Sequence, residues 1–240
     1  MEVASKATAS AVDPPTASEY LPYMPPTRSD IDTVTAAERA YSYIRQRLFD
    51  GTYEGGAMLS EGEIAAALKI SRTPVHEALL RCEFEGHVRM YPKRGALVLP
   101  VSAKEIQDVL VTRRLIETYA IEKACETGFL GPGLLALVEK QAELIAAGKD
   151  DVFSDSDSEF HHRIVTATGN TLLTKAYGLA RDVPLRVGNG DIGNDPDRAA
   201  HIIEEHAVIA QAVVDRDPIA ARAAVELHLD HALQSLLRAI

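Results

Sequence analysis

From Ser102 to Ile240 the only regular pattern in the sequence is helical. Apolar residues recur at three- and four-residue spacing over about 102–127, 131–147, 150–168, 170–187, 196–215 and 217–238. The breaks are the Gly128–Gly133 stretch, Gly148, Gly169, the Gly/Asn/Asp run 188–195, and Asp217-Pro218. The last is a good N-cap followed by proline at the first helical position, where the missing N–H costs nothing. Chain that offers only amphipathic helices can bury its apolar stripes only against other helices. Residues 101–240 therefore predict an antiparallel all-α bundle of about six helices.

The segment before it reads differently. Thr35 and Glu38 have capping-box spacing ahead of Ala37, Tyr41, Ile44 and Leu48, and Gly51 stops that helix. Ser60 and Glu63 open a short helix through Leu68, and Ser71 caps a third, with Pro74 in its first turn. Val75, Leu79 and Phe84 are expected to face inward, and Gly86 ends the helix. Val88–Tyr91 and Ala96–Leu99 then read as a hairpin around the basic turn Pro92-Lys93-Arg94-Gly95. Pro100 closes this module, and Ser102 with Glu105 forms the next capping box. Residues 34–100 thus predict three helices and a hairpin. Residues 1–33 hold Pro14, Pro15, Pro22, Pro25 and Pro26 among Ala, Ser and Thr, and predict a disordered tail.

Charge must be read module by module. The whole chain carries −10, but residues 34–100 carry +1 while residues 1–33 carry −3 and 101–240 carry −8. No run of about 18 apolar residues exists to span a membrane, and the N-terminus has no basic-then-apolar export pattern. Cys82 and Cys125 lie in helical patterns and cannot frame a disulfide scaffold, so a reducing cytoplasm is the expected location.

Residues 60–85 have the shape of a helix-turn-helix, whose second helix presents its N-terminal residues to the major groove. Those residues are Ser71, Arg72, Thr73 and His76. Arg72 can reach a guanine edge or a phosphate, and Ser71 and Thr73 can position on phosphates. Lys93, Arg94 and Gly95 form the tip of a wing. Two short helices meeting at a turn also occur in purely structural domains, so the shape alone leaves both readings open. The residues are more specific. Leu59-Ser60-Glu61 through Leu68, Ile70-Ser71-Arg72-Thr73-Pro74-Val75, Glu77-Ala78-Leu79, Glu85-Gly86, Arg94-Gly95-Ala96 and Val98 resemble the winged helix of GntR-family bacterial transcription regulators. The resemblance implies a homodimer on a palindromic double-stranded DNA operator, with Arg72 and the wing as contacts. It departs from the family at Gly62 and His76, where arginine is usual. Each lost phosphate contact weakens binding and flattens its salt dependence.

In the bundle, polar groups interrupt apolar stripes. Arg113 shares a face with Ile106, Val109, Ile116 and Ala120; Asp157 and His161 share one with Phe153, Phe160 and Ile164. His206 falls among Ile202, Ile209 and Val213, and His228 among Val225, Ala232 and Leu236. A lone inward histidine is more often a hydrogen-bonded core residue than a ligand. Five such groups buried together, however, would exceed the marginal ~5–15 kcal/mol stability of a domain unless they satisfied one another. A divalent cation held by Asp157, His161, His206 and His228 would satisfy them, with zinc first and nickel, manganese or iron as alternatives. Counting Arg113, the formal charge of that cavity is +2, which calls for an anion, most simply a carboxylate. His162, His201 and His231 fall off the stripes and are expected to be solvated. Glu117 is expected to pair with Arg113 within the helix.

Arg113-x-x-x-Glu117, Asp157-x-x-Phe160-His161, Gly169-Asn170, and Glu205-His206 followed by His228 resemble the FCD ligand-binding domain of one GntR subgroup. The resemblance implies that Asp157, His161, His206 and His228 bind metal while Arg113 holds a small organic-acid effector. A six-helix bundle is closer to the VanR-like branch than to the FadR-like one. Asn170, Arg181 and Arg186 are left open between surface positions and effector contacts. The expected function is a ligand-responsive regulator, more often a repressor in this family. The alternatives are a regulator that senses the metal itself, or a metal-dependent hydrolase. The hydrolase lacks a leftover carboxylate on the stripes to serve as base, and no catalytic residues are assigned.

Overall fold

The computed structural model describes residues 35–188 and 196–240. The proline-rich segment 1–33 and residues 189–195 of the glycine/asparagine run lie outside the described residues. Among the described residues the chain is mostly helical, with a small three-stranded sheet.

The first part runs α1 (Ala36–Phe49), β1 (Met58–Leu59), α2 (Glu61–Leu68), α3 (Arg72–Phe84), β2 (Val88–Tyr91) and β3 (Gly95–Val98). Ala40, Ile44 and Leu48 put one four-residue stripe of α1 into the core of this part. The Ser60 hydroxyl caps α2 by accepting from the Glu63 N–H. Ser71 occupies the cap position of α3, but its side chain makes no capping bond.

The inward face of α3 is Val75, Ala78, Leu79 and Cys82, and Phe84 is not part of it. Phe84 is 91% exposed, because nine residues beyond Val75 the helix has turned roughly 180° from the core face. The wing also differs from a simple hairpin, since β1 pairs with β3 to give the order β1-β3-β2. Two residues pairing with a distant strand leave no alternation for a sequence reading to detect. This third strand explains Gly95: its φ is +101°, and a Cβ there would lie 2.0 Å from the Leu59 carbonyl oxygen.

The second part is α4 (Ala103–Thr127), α5 (Gly131–Ala146), α6 (Asp150–Thr166), α7 (Thr171–Gly188), α8 (Pro196–Val214) and α9 (Pro218–Arg238). Ser102 caps α4, and the Asp217 carboxylate accepts from the Ile219 and Ala220 N–H groups at the start of α9. Arg114 pairs with Asp230, and Arg222 with Glu122, so numbering rises along α4 as it falls along α9. The two helices are therefore antiparallel. Long α4 packs against α6, α7, α8 and α9, which explains why Arg113, Glu117 and Thr118 are buried on it as well as its apolar stripe.

Three contacts tie α7 to the first part. Arg45 of α1 pairs with buried Asp182, the other Asp182 oxygen lies 3.5 Å from His87 Nε2, and Arg186 donates to the Leu99 carbonyl. Arg186 is thus a junction residue, and Asn170 accepts from Leu172 N–H and Leu173 N–H as the cap of α7. No helix among the described residues is long and apolar enough to cross a membrane.

Candidate metal centre and DNA-reading surface

His161 of α6, His206 of α8 and His228 of α9 meet in the bundle core, with ligand atoms within 4.8 Å of one another. All three are at least 97% buried, at 1%, 0% and 3% exposure. Phe160 stacks flat on His206 at 4.0 Å between ring centroids, and the rings of His161 and His228 stack at 4.8 Å.

The outer edge of each ring is held by a different residue. Glu117 Oε2 lies 2.8 Å from His161 Nδ1, Gln141 Oε1 lies 2.9 Å from His206 Nδ1, and Glu205 Oε2 lies 2.7 Å from His228 Nδ1. Gln141 Nε2 donates to the Ser156 carbonyl at 3.1 Å, so its oxygen is left to accept from His206. Three acceptors on three Nδ1 atoms place the ring protons outward and leave Nε2 lone pairs inward. His161 Nε2 and His206 Nε2 are only 3.2 Å apart. Two Nε2 lone pairs facing one another in a dry core are destabilising unless a shared proton or a cation lies between them. The donor set therefore fits a divalent cation of the imidazole-preferring kind.

Burial favours neutral imidazoles at His206 and His228. Burial, reinforced by His228 and His161, pushes His206 well below the ordinary histidine value. Burial also lowers His228, although its hydrogen bond to Glu205 opposes the shift. Neutral imidazole is the form that ligates a metal. Burial would raise Glu117, but the Arg113 guanidinium and His161 outweigh it and hold the carboxyl ionised. Likewise the hydrogen bonds from His228 and His231 outweigh burial at Glu205 and lower it.

Asp157 lies at the edge of this cluster. Its Oδ1 is 3.6 Å from His206 Nε2, and its side chain is 28% exposed. Arg113 is 6% exposed and gives its Nε–H to Glu117 Oε1 at 2.7 Å, with the guanidinium 5.9 Å from the Tyr177 ring. Glu117 is thus more than an intrahelical partner, because its second oxygen orients His161. Its buried negative charge corrects the formal count of +2 to +1 for a cavity holding a divalent cation, Asp157 and Arg113. His231 is also not simply solvated: its Nδ1 is 2.6 Å from Glu205 Oε1. His162 is half-buried, and His201 is exposed.

Gln141 and Glu205 escaped the sequence reading as residues that orient the ligands. For Gln141 a signal existed. It follows Leu134, Leu137 and Val138 on the apolar stripe of α5, the kind of interruption that drew attention to Arg113.

On the first part, Ser71, Arg72, Thr73 and His76 are exposed in the opening turns of α3, and Lys93 and Arg94 in the wing turn. A cleft of about 530 Å³ lies between them, with Glu61, Gly62, Arg72 and His76 on one side and Lys93 and Arg94 on the other. His76 Nδ1 is 2.7 Å from Glu61 Oε1.

Residues 36–98 match the family described as bacterial regulatory proteins, gntR family, and residues 108–231 match the FCD domain. This chain belongs to the GntR family of transcription regulators. It is 29% identical over 192 residues to the gluconate operon transcriptional repressor of Bacillus subtilis (strain 168), covering 76% of this chain and 77% of that protein. A GntR-type chain from Rhodococcus sp. RHA1 superposes with a TM-score of 0.73 at 23% identity, covering 86% of this chain and 100% of that one. E. coli McbR/YncC superposes with a TM-score of 0.72 at 20% identity, over 85% of this chain and 98% of that one. These two likenesses establish the fold. A GntR helix-turn-helix implies DNA binding, and the chain is a regulator of transcription rather than an enzyme. Arg113, Asp157 and the three histidines all fall within the FCD match.

Proposed function

We propose that this GntR regulator is a cytoplasmic homodimeric repressor on a palindromic operator, relieved by a small carboxylate bound in the FCD domain. Residues 34–100 serve as the DNA-binding domain, 101–240 as the metal and effector domain in the VanR-like manner, and 1–33 as a tail. The observation that carries the sensory half is the convergence of three inward Nε2 atoms whose outer nitrogens are each held by a separate partner.

His161, His206 and His228 hold the cation, with Asp157 as the oxygen ligand. A bound divalent cation supplies a Lewis-acidic positive charge for an anionic ligand; zinc suits this donor set, as do nickel, manganese and iron. Gln141, Glu117 and Glu205 orient the ligands, which holds the rings in place before a ligand arrives. Arg113 supplies the guanidinium that recognises the acid, and Glu117 balances its charge. Glu205, likewise held ionised, is offset by Arg198 at 3.9 Å, so the remaining formal charge of +1 matches one carboxylate. The relative's name makes hydroxylated sugar acids a sensible first panel.

The same Glu117 contact favours a second reading. An Arg113 already paired could be structural, with the metal itself as the signal. Thermal-shift scanning of zinc-loaded protein against small carboxylic acids separates the two. An acid at 100 times its dissociation constant should stabilise by roughly 2.7 kcal/mol, and Arg113→Ala should abolish that shift. Operator affinity that follows zinc but ignores every acid would replace the first reading by the second. Operator affinity indifferent to both would sink the sensory role altogether.

A further inference from the structure

The DNA-reading surface carries a negative charge where a basic contact would be simplest. Glu61, at the start of α2, holds His76 of α3 with 2.7 Å between Glu61 Oε1 and His76 Nδ1. Both remain accessible, at 49% for the His76 side chain and 28% for Glu61. The pair lines the cleft facing the wing.

Beside it, Gly62 accommodates Arg72. A Cβ at position 62 would meet Arg72 Nη2 at 3.3 Å and Cζ and Nε at 3.7 Å, so the guanidinium lies across α2 at a place without a side chain. A bulkier residue there would push Arg72 away. The two departures from the family pattern, Gly62 and His76, thus sit in one local arrangement with Glu61. One guanidinium rests on the glycine, and one imidazole is clasped by a carboxylate.

This arrangement has chemical consequences for base recognition. An arginine reaching the major groove offers only donors and selects guanine O6 and N7. Here Nδ1 of His76 is committed to Glu61 Oε1, which leaves His76 Nε2 and Glu61 Oε2 as the polar atoms this half-exposed pair can offer a base. A carboxylate oxygen only accepts, and cytosine N4 and adenine N6 are the amino donors displayed in the major groove.

We propose that Glu61 and His76 act as one base-reading unit that, at one position of each operator half-site, reads the amino group of cytosine or adenine on the strand facing α3, where an arginine at position 76 would read guanine on that strand. Arg72 reads or anchors the neighbouring position. Glu61 is the positioning residue for His76 and contributes an acceptor of its own. The inference rests on α3 entering the major groove.

Selection of full-chain protein on a randomised duplex library, followed by sequencing, tests it. Wild type is expected to specify one base pair about tenfold or more at the column this unit reads, identified as the column whose base pair changes in His76→Arg. His76→Arg is expected to convert that column to guanine with the other columns unchanged, and Glu61→Gln to flatten it. A motif in which every column keeps the same base pair in wild type and His76→Arg overturns the inference. So do variants that alter affinity equally for every sequence, which is the behaviour of a phosphate contact. Those outcomes leave the DNA-binding reading intact, whereas wild type that enriches no motif overturns both.

Discussion

The molecule contains nearly the same pair twice, in opposite surroundings. His76 Nδ1 meets Glu61 at 2.7 Å on the DNA-reading surface, and His161 Nδ1 meets Glu117 at 2.8 Å in the bundle core. The first pair is half open to water, and its net contribution to stability is small because solvent screens it and would serve either partner alone. The second is 2% and 0% exposed, with Arg113 on the other carboxylate oxygen. There every charge depends on its neighbour, because removing one leaves another buried without compensation. Surface pairs are free to be spent on a partner molecule. Buried ones must close on themselves, and the atoms that fail to close mark the ligand site.

The sharpest way to break this comparison is the same substitution at both carboxylates. Glu117→Gln strips Arg113 of its counter-charge and is expected to lose about 3–5 kcal/mol in denaturant unfolding. An effect under about 1 kcal/mol would show that the core pair behaves like a surface one. The junction should fall in between. Asp182 is buried and binds Arg45, so Asp182→Ala is expected to lose about 1.5–3 kcal/mol. A neutral result would mean that α7 is not held to α1 by this contact.

Acidity offers a third test. The folded-state values of His206 and His228 lie below the unfolded histidine value of 6.5. The unfolded chain therefore binds protons more readily, and the stability these residues contribute is present above about pH 6.5 and lost as pH falls below it. The melting temperature of metal-free protein should drop between pH 7.5 and 5.5. A flat or rising profile would contradict neutral, buried rings. The smallest effect is expected at the surface, where Glu61→Gln should change stability by less than about 1 kcal/mol.

What could be read in advance follows from locality. The caps at Ser60, Ser102 and Asp217, and the stripes carrying Arg113, His161, His206 and His228, are written in residues three or four apart, and the helices form where those patterns lie. Phe84 departs from the expected inward face for an equally local reason, since nine residues at about 100° each carry it to the side opposite Val75. Strand β1 and the second role of Glu117 depend on partners 39 and 44 positions away, Leu97 opposite Met58 for the former and His161 for the latter. No local period encodes them. Gln141 is an intermediate case: its place on an apolar stripe was visible, but its partner His206 lies 65 residues on.

The most direct test of the central claim is metal content and affinity. Protein stripped with chelator and titrated calorimetrically with zinc, nickel and manganese should take up one ion per chain. His161→Ala and His206→Ala should lose that uptake while remaining folded by circular dichroism. Wild type that binds none of the three ions more tightly than these variants would contradict the account.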